Sequence, residues 1–289
     1  MGDPRLPLRA MFPPAPPLGV RGDPGVIRPY GVAQRLAGDR LVLAGGPAAV
    51  LLQVAHPLVG AGVALHSDYA ARPGHRLVAT LQLTLAIGFG DTAQARAAAS
   101  SVGRRHATVN GEISDAAGAF AAGTRYDATD PELTLWVYGT LAFCAVAVHQ
   151  RYGRGVTPAE CEQSWQETKP FLHLFGVPDE LIPATWQDFL AWWDLQVPRL
   201  AVTPVVARVA QDMLVPRLFP PLPGLGIVLR AVTSDLLPEP VRAAYGVPLT
   251  RGRRLLVAVL AAVTRVVWPR LPRRLREFPH VRQVEQRLG

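Results

Sequence analysis

From Leu41 to Leu65 the chain carries no formally charged residue, and nothing else in the sequence restricts the fold as strongly. A stretch of this length and polarity is either buried in protein or in lipid. Two breaks decide between them. Gly45-Gly46-Pro47 and His56-Pro57 interrupt the segment, and Gln53 and His56 would face hydrocarbon. Backbone groups freed at such breaks have no partners in lipid, at a cost of several kcal/mol each, on the order of 2–7 kcal/mol. The expectation is therefore a broken pair of helices buried inside a domain. Pro47 opens the first helix and Pro57 opens or kinks the second, which reaches His66.

The rest of the chain follows the same helical grammar. No run of alternating residues with hairpin turns appears, and no internal repeat. Helices are expected over about 75–87, 92–113, 131–152, from Pro158, from Pro183 to Pro198, over 202–213, 240–245 and 252–268. Asp91 or Thr92, Asp130 and Thr157 are in place to cap three of them. Residues 1–30 differ: Pro4, Pro7, Pro13, Pro14, Pro16, Pro17, Pro24 and Pro29 prevent a helix. The reading is all-α: one multi-helix globular domain over 31–280, a Pro-rich N-terminal arm over 1–30 and a surface tail over 281–289.

Charge and cysteine content exclude several classes of function. The net charge is +8, with Lys169 the only lysine, so the cations are arginines spread along the chain. They cluster at Arg251, Arg253, Arg254 and at Arg270, Arg273, Arg274, Arg276, with no zinc-finger spacing or aromatic RNA-binding motif beside them. No specific nucleic-acid partner is expected. Leu255–Trp268, between the clusters, is too short to span a bilayer and reads as a core helix or an interfacial one. Cys144 and Cys161 are isolated thiols, suited to a reducing cytoplasm. Residues 1–30 lack the continuous apolar core of a signal peptide, which also points to the cytoplasm.

P-loop, GxGxxG, GxSxG and HExxH patterns are missing, which leaves histidine as the carrier of chemistry. In the helix expected over 92–113, Ala99, Val102, His106, Val109 and Ile113 share one face. An imidazole on an apolar face is either a satisfied core residue or the donor of an axial nitrogen to haem iron. Arg76 and Thr80 stand four apart on one helical face and suit the edge of a pocket. His56, His66 and Asp68 form an alternative set for a non-haem metal.

At this point the motifs are similar to a known series. Residues 45–69 (GGPAAVLLQVAHPLVGAGVALHSDY), 75–95, 104–111 (RRHATVNG) and 126–141 (YDATDPELTLWVYGTL) resemble the MpaB/rubber oxygenase (latex clearing protein) catalytic domain family. The resemblance extends over about 28–280. It implies an all-α fold and, in some members, haem b. His106 matches the family's proximal histidine, and Arg76 and Thr80 match an arginine and a threonine of its pocket. Where the closed rubber-cleaving enzyme has a lysine before that threonine, this chain has Ala79, which cannot ligate iron. The sixth position would then be open, or filled by water or by another residue such as His56 or His66. The function implied is a haem-b-dependent oxygenase using O2 or a peroxide on a small apolar, lipid- or terpenoid-like substrate. A haem or lipid carrier without turnover, resting on a membrane surface through its basic C-terminal region, is the competing reading. A non-haem metalloenzyme is the third.

Overall fold

The computed structural model describes residues 6–7, 14–66, 73–214, 218–219 and 222–289. In chain order the elements are β1 (Leu6–Pro7), α1 (Val32–Gly38), a 3-10 turn over Arg40–Gly45, α2 (Gly46–Ala55), α3 (Pro57–His66), α4 (Pro73–Phe89) and α5 (Thr92–His106). A small hairpin of β2 (Asn110–Glu112) and β3 (Arg125–Asp127) precedes the long α6 (Pro131–Tyr152). Then come α7 (Pro158–Leu174), α8 (Trp186–Gln196), α9 (Pro204–Leu214) and β4 (Leu218–Phe219), which pairs in parallel with β1. The chain ends with α10 (Leu225–Leu236), α11 (Glu239–Ala244), α12 (Arg251–Val267), α13 (Arg273–Arg276) and α14 (Pro279–Leu288).

Local signals start several helices. Asp130 accepts from Glu132 N at 2.8 Å, and Pro131 takes the first helical position, where a missing N–H costs nothing. Thr157 and Glu160 form a reciprocal capping box on α7. At α8 the box is Thr185 with Asp188, so that helix begins at Trp186 rather than at Pro183. Within α7, Pro170 is accommodated inside the helix.

α6 is the axis of the core. It packs against α2, the 3-10 turn, α7, α10 and α12. Trp136 stacks on Trp193 with centroids 5.2 Å apart, and Phe143 stacks on the other side at 4.3 Å. Each such side chain contributes about 1.5–3 kcal/mol by leaving water. The first half of the uncharged segment is buried as expected, Ala48, Leu51, Leu52 and Ala55 having no exposed surface, but α3 emerges at its end, where Leu65 is 69 % exposed. Cys144 and Cys161 are buried as well, and burial pushes the Cys144 thiol up to about 12. α6 is also long and apolar enough to cross a membrane, as is the bent pair of the 3-10 turn with α2 and α3, a property that buried core helices share. That pair bends by 100° at His56–Pro57.

The bend depends on Gly60. A Cβ there would stand 2.5 Å from the Val54 carbonyl oxygen and 2.8 Å from Val206. Gly60→Ala is expected to cost about 1–3 kcal/mol, because backbone rather than a flexible side chain blocks the methyl. A urea titration would check this, and an unchanged midpoint would show that the bend adjusts freely.

Two boundaries differ from expectation. α5 ends at His106, not near Ile113; Val109 and Ile113 keep helical spacing but lie in the turn and hairpin that follow. Cross-strand pairing of Gly111 with Tyr126 replaces the helix there. Residues 281–288 belong to α14, with Gly289 as its C-cap, and the helix buries His280, Val284 and Arg287 against α1 and α4. The residues before α1 are tied to the same region: Gly22 N donates to Arg287 O, and Val20 N to Asp91.

Candidate functional site

α4 and α5 form an antiparallel hairpin joined at Gly90-Asp91. Asp91 caps α5 by accepting from Gln94 N at 2.7 Å, while Gln94 Oε1 accepts from Asp91 N at 3.1 Å. This pins the turn and sets the register of the two helices. Arg76 lies thirteen residues before the end of α4, and His106 fourteen after the start of α5. At about 1.5 Å per residue the two stand level, roughly 20 Å from the turn. Thr80 is one helical turn nearer to it. The backbone thus brings Arg76, Thr80 and His106 to the same end of one hairpin. The Arg76 side chain lies outside the described residues; Thr80 is exposed and His106 half-buried.

The ground beside His106 is formed by α3 and the β2–β3 hairpin. Val109 N donates to His106 O at 2.8 Å, and Ala128 N to Val109 O at 2.9 Å. Val109 reaches α3 where Gly62 leaves room, its Cγ1 only 3.3 Å from where a Cβ would stand. His66 Nε2 and the Tyr126 hydroxyl lie 3.1 Å apart on the same side of the domain. The imidazole at the end of α5 and the Tyr126 hydroxyl therefore share one region, with Gly62 allowing close approach of α3. Tyr126 and Gly62 fall inside the motifs of residues 126–141 and 45–69, but their meeting depends on the packing of β3 against α3.

Along α5 an open cleft of about 620 Å³ runs between that helix, the start of α6 and the end of α7. Arg96, Ala99 and Gly103 line it from α5, Thr134 from α6, and Pro170 and Phe175 from the far side. Its volume suits a small organic ligand. His106 follows Gly103 by one helical step of three and continues the cleft-facing side, although it is not among the lining residues. A Cβ at Gly103 would meet nothing within 4 Å, so the cleft is open at that point.

Other candidates are placed elsewhere. His56 and His66 stand at opposite ends of α3, about 15 Å apart along the axis, so they cannot ligate one ion. Asp68 lies outside the described residues. Among the described residues no group of three or more His, Cys, Asp or Glu is positioned to hold a metal. His56 is instead packed against Phe120 and Trp136, and burial pushes it down to about 4, with Arg199 adding to the effect. Trp136 and Tyr138 are closed into the core, Tyr138 against Phe171, and line no substrate pocket among the described residues.

A second cavity of about 310 Å³ lies between α1, the end of α6 and α13–α14. His149 lines it, its Nδ1 hydrogen-bonded to the Ala145 carbonyl at 2.8 Å. A carbonyl only accepts, so the proton sits on Nδ1 and Nε2 presents a lone pair. That Nε2, Gln34 Nε2 and Arg276 Nε have no hydrogen-bond partner among the described residues. A cavity of this polarity is one that water fills.

The sequence matches, over residues 34–266, the family described as "ER-bound oxygenase mpaB/B'/Rubber oxygenase, catalytic domain". That span is about four fifths of the chain and contains every element of the α4–α5 region. Comparison with curated proteins and with solved structures found no match.

Proposed function

The chain belongs to the mpaB/rubber oxygenase catalytic-domain family, and on that premise we propose that it is a haem-b-dependent oxygenase acting on a small apolar, lipid- or terpenoid-like substrate with O2 or a peroxide. The observation that supports this most directly is the convergence of Arg76, Thr80 and His106 at one end of the α4–α5 hairpin. The donor set fits the group: a half-buried imidazole for iron, a guanidinium for a propionate or an oxygen species, and a hydroxyl one turn away. Bound haem b would supply the oxidising chemistry that no protein side chain has.

The protein's own contribution is placement. His106 offers its nitrogen from the end of α5, where the following residues are held against α3 through Val109 and Gly62. Thr80 is exposed, and its hydroxyl would donate to a ligand. Arg76, whose backbone stands level with His106, would supply a positive charge favouring developing negative charge. The cleft along Gly103 and Ala99 would hold the substrate, with Pro170 and Phe175 as its apolar wall. Ala79 leaves the position beside Thr80 without a ligating side chain.

The test is an absorption spectrum of protein produced with haem precursor supplied. The wild type is expected to show a strong Soret band, and His106→Ala to lose most of it while keeping its far-ultraviolet circular dichroism. A haem-replete wild type with no Soret band would overturn the cofactor assignment. A band of equal strength in both proteins would remove His106 as the ligand.

A further inference from the structure

Eight arginines and no acidic residue lie between Arg251 and Arg276. That run contains α12, which buries Val257 and Ala261 against the domain and turns another face outward. On the outer face Leu255 is 68 % exposed, Val259 51 %, Val263 52 %, Val266 54 % and Val267 47 %. At about 100° per residue these five share an arc of roughly 120°, and the stripe is about 18 Å long. Single exposed aliphatics are ordinary; five in a line on one helix are not.

We infer that this face of α12 is a docking surface for an anionic membrane, the helix lying in the plane of the interface. Charge decides the occupant. Arg251 stands at one end of the stripe, Arg270 and Arg274 just beyond the other. None of these three pairs with a carboxylate among the described residues. Arg254 and Arg265 lie on the flank nearer Val257 and Ala261, where they donate to the Leu249 and Gln150 carbonyls. A second copy docking through the same stripe, in either orientation, would bring arginine against arginine at the ends. An anionic lipid surface attracts every one of them, while the leucine and valines enter the boundary between headgroups and acyl chains. The inference does not rest on the cofactor reading, since α12 contributes nothing to the α4–α5 region.

Sedimentation of the full chain with vesicles tests it. Binding is expected to vesicles containing roughly one quarter phosphatidylglycerol in phosphatidylcholine, and to fall at about 0.5 M salt, where charges are screened beyond a few ångström. The double substitution Val259→Glu/Val263→Glu should weaken binding at least about tenfold. Arg251→Gln/Arg274→Gln should remove the preference for anionic over neutral vesicles. All four positions are exposed, so melting curves should match the wild type. No vesicle binding, or binding that the glutamates leave unchanged, would overturn the assignment. So would a dimer in light scattering that the glutamates dissociate while the wild type ignores vesicles.

Discussion

Acidification from about pH 7 to about pH 4 is expected to unfold this protein or bring it close to unfolding. His56 and His280 are 5 % and 2 % exposed, and burial holds both down at about 4. In the unfolded chain each titrates near 6.5. Between those values the unfolded chain binds protons that the native state refuses, so stability rises with pH there. The full contribution is present above about 6.5 and is lost as pH falls toward 4. At about 1.4 kcal/mol per pKa unit this amounts to roughly 3 kcal/mol for each histidine. The sum is a large part of the 5–15 kcal/mol that holds a typical domain folded. His149 is shifted down by burial too and acts with the same sign. Glu160, held low by the Thr157 N–H and by Arg35 and Arg154, keeps its contribution over that range and loses it only below the ordinary carboxylate value of 4.5. Thermal midpoints by circular dichroism at several pH values would measure the slope. The pair His56→Leu/His280→Phe should flatten it. A wild-type midpoint that does not move between pH 7 and 4.5 would show that protonated imidazoles are tolerated in the core.

Arg287→Leu is expected to cost about 2–4 kcal/mol. The Arg287 guanidinium is buried at 2 % exposure and donates to three backbone carbonyls: Asp23 at 2.8 Å, Phe89 at 3.0 Å and Gly90 at 3.2 Å. Phe89 and Gly90 form the α4–α5 turn, where carbonyls at the end of α4 have no helical partner. One side chain therefore fastens α14, the segment before α1 and the hairpin turn together. Leucine fills part of the volume but leaves three buried acceptors unpaired, each worth about 1 kcal/mol or more. Arg287→Lys should rescue little, because one ammonium cannot reproduce the planar fork that reaches three oxygens. Urea denaturation of the three proteins would decide. A loss below about 0.5 kcal/mol for the leucine variant would mean that the turn holds itself through Asp91 and Gln94.

Much of the fold was legible because its signals are local. Pro47, Asp130 with Pro131 and Thr157 with Glu160 act within four residues of themselves, and each starts the helix expected of it. The burial of the helix opened by Pro47 was legible for the same reason, since the lack of charge and the two breaks are properties of the segment itself. The family signature lay in residue order and could also be read directly. The end of α5 could not. Helical spacing continues through Val109 to Ile113, but Gly111 pairs with Tyr126, and Ala128 N bonds to Val109 O, from elements further along the chain. Nor could α10, which no proline or capping side chain announces: its N-cap is Gly224, without a side-chain bond.

Within the candidate site, the sequence placed Arg76 and Thr80 on one helix and His106 on the next. That they stand at one end of a hairpin follows from the length of α4 and the pinned turn at Asp91. Burial is what only the tertiary structure decided. His56, His66 and His106 look alike as residues, yet one is sealed between Phe120 and Trp136, one is exposed and one is half-buried at a helix end. Trp136 went to the core and Leu255 to the surface, although both sit on apolar helices. The physical reason is range. Caps, prolines and charge act over a helical turn, whereas burial depends on side chains many residues away that only the folded chain brings near.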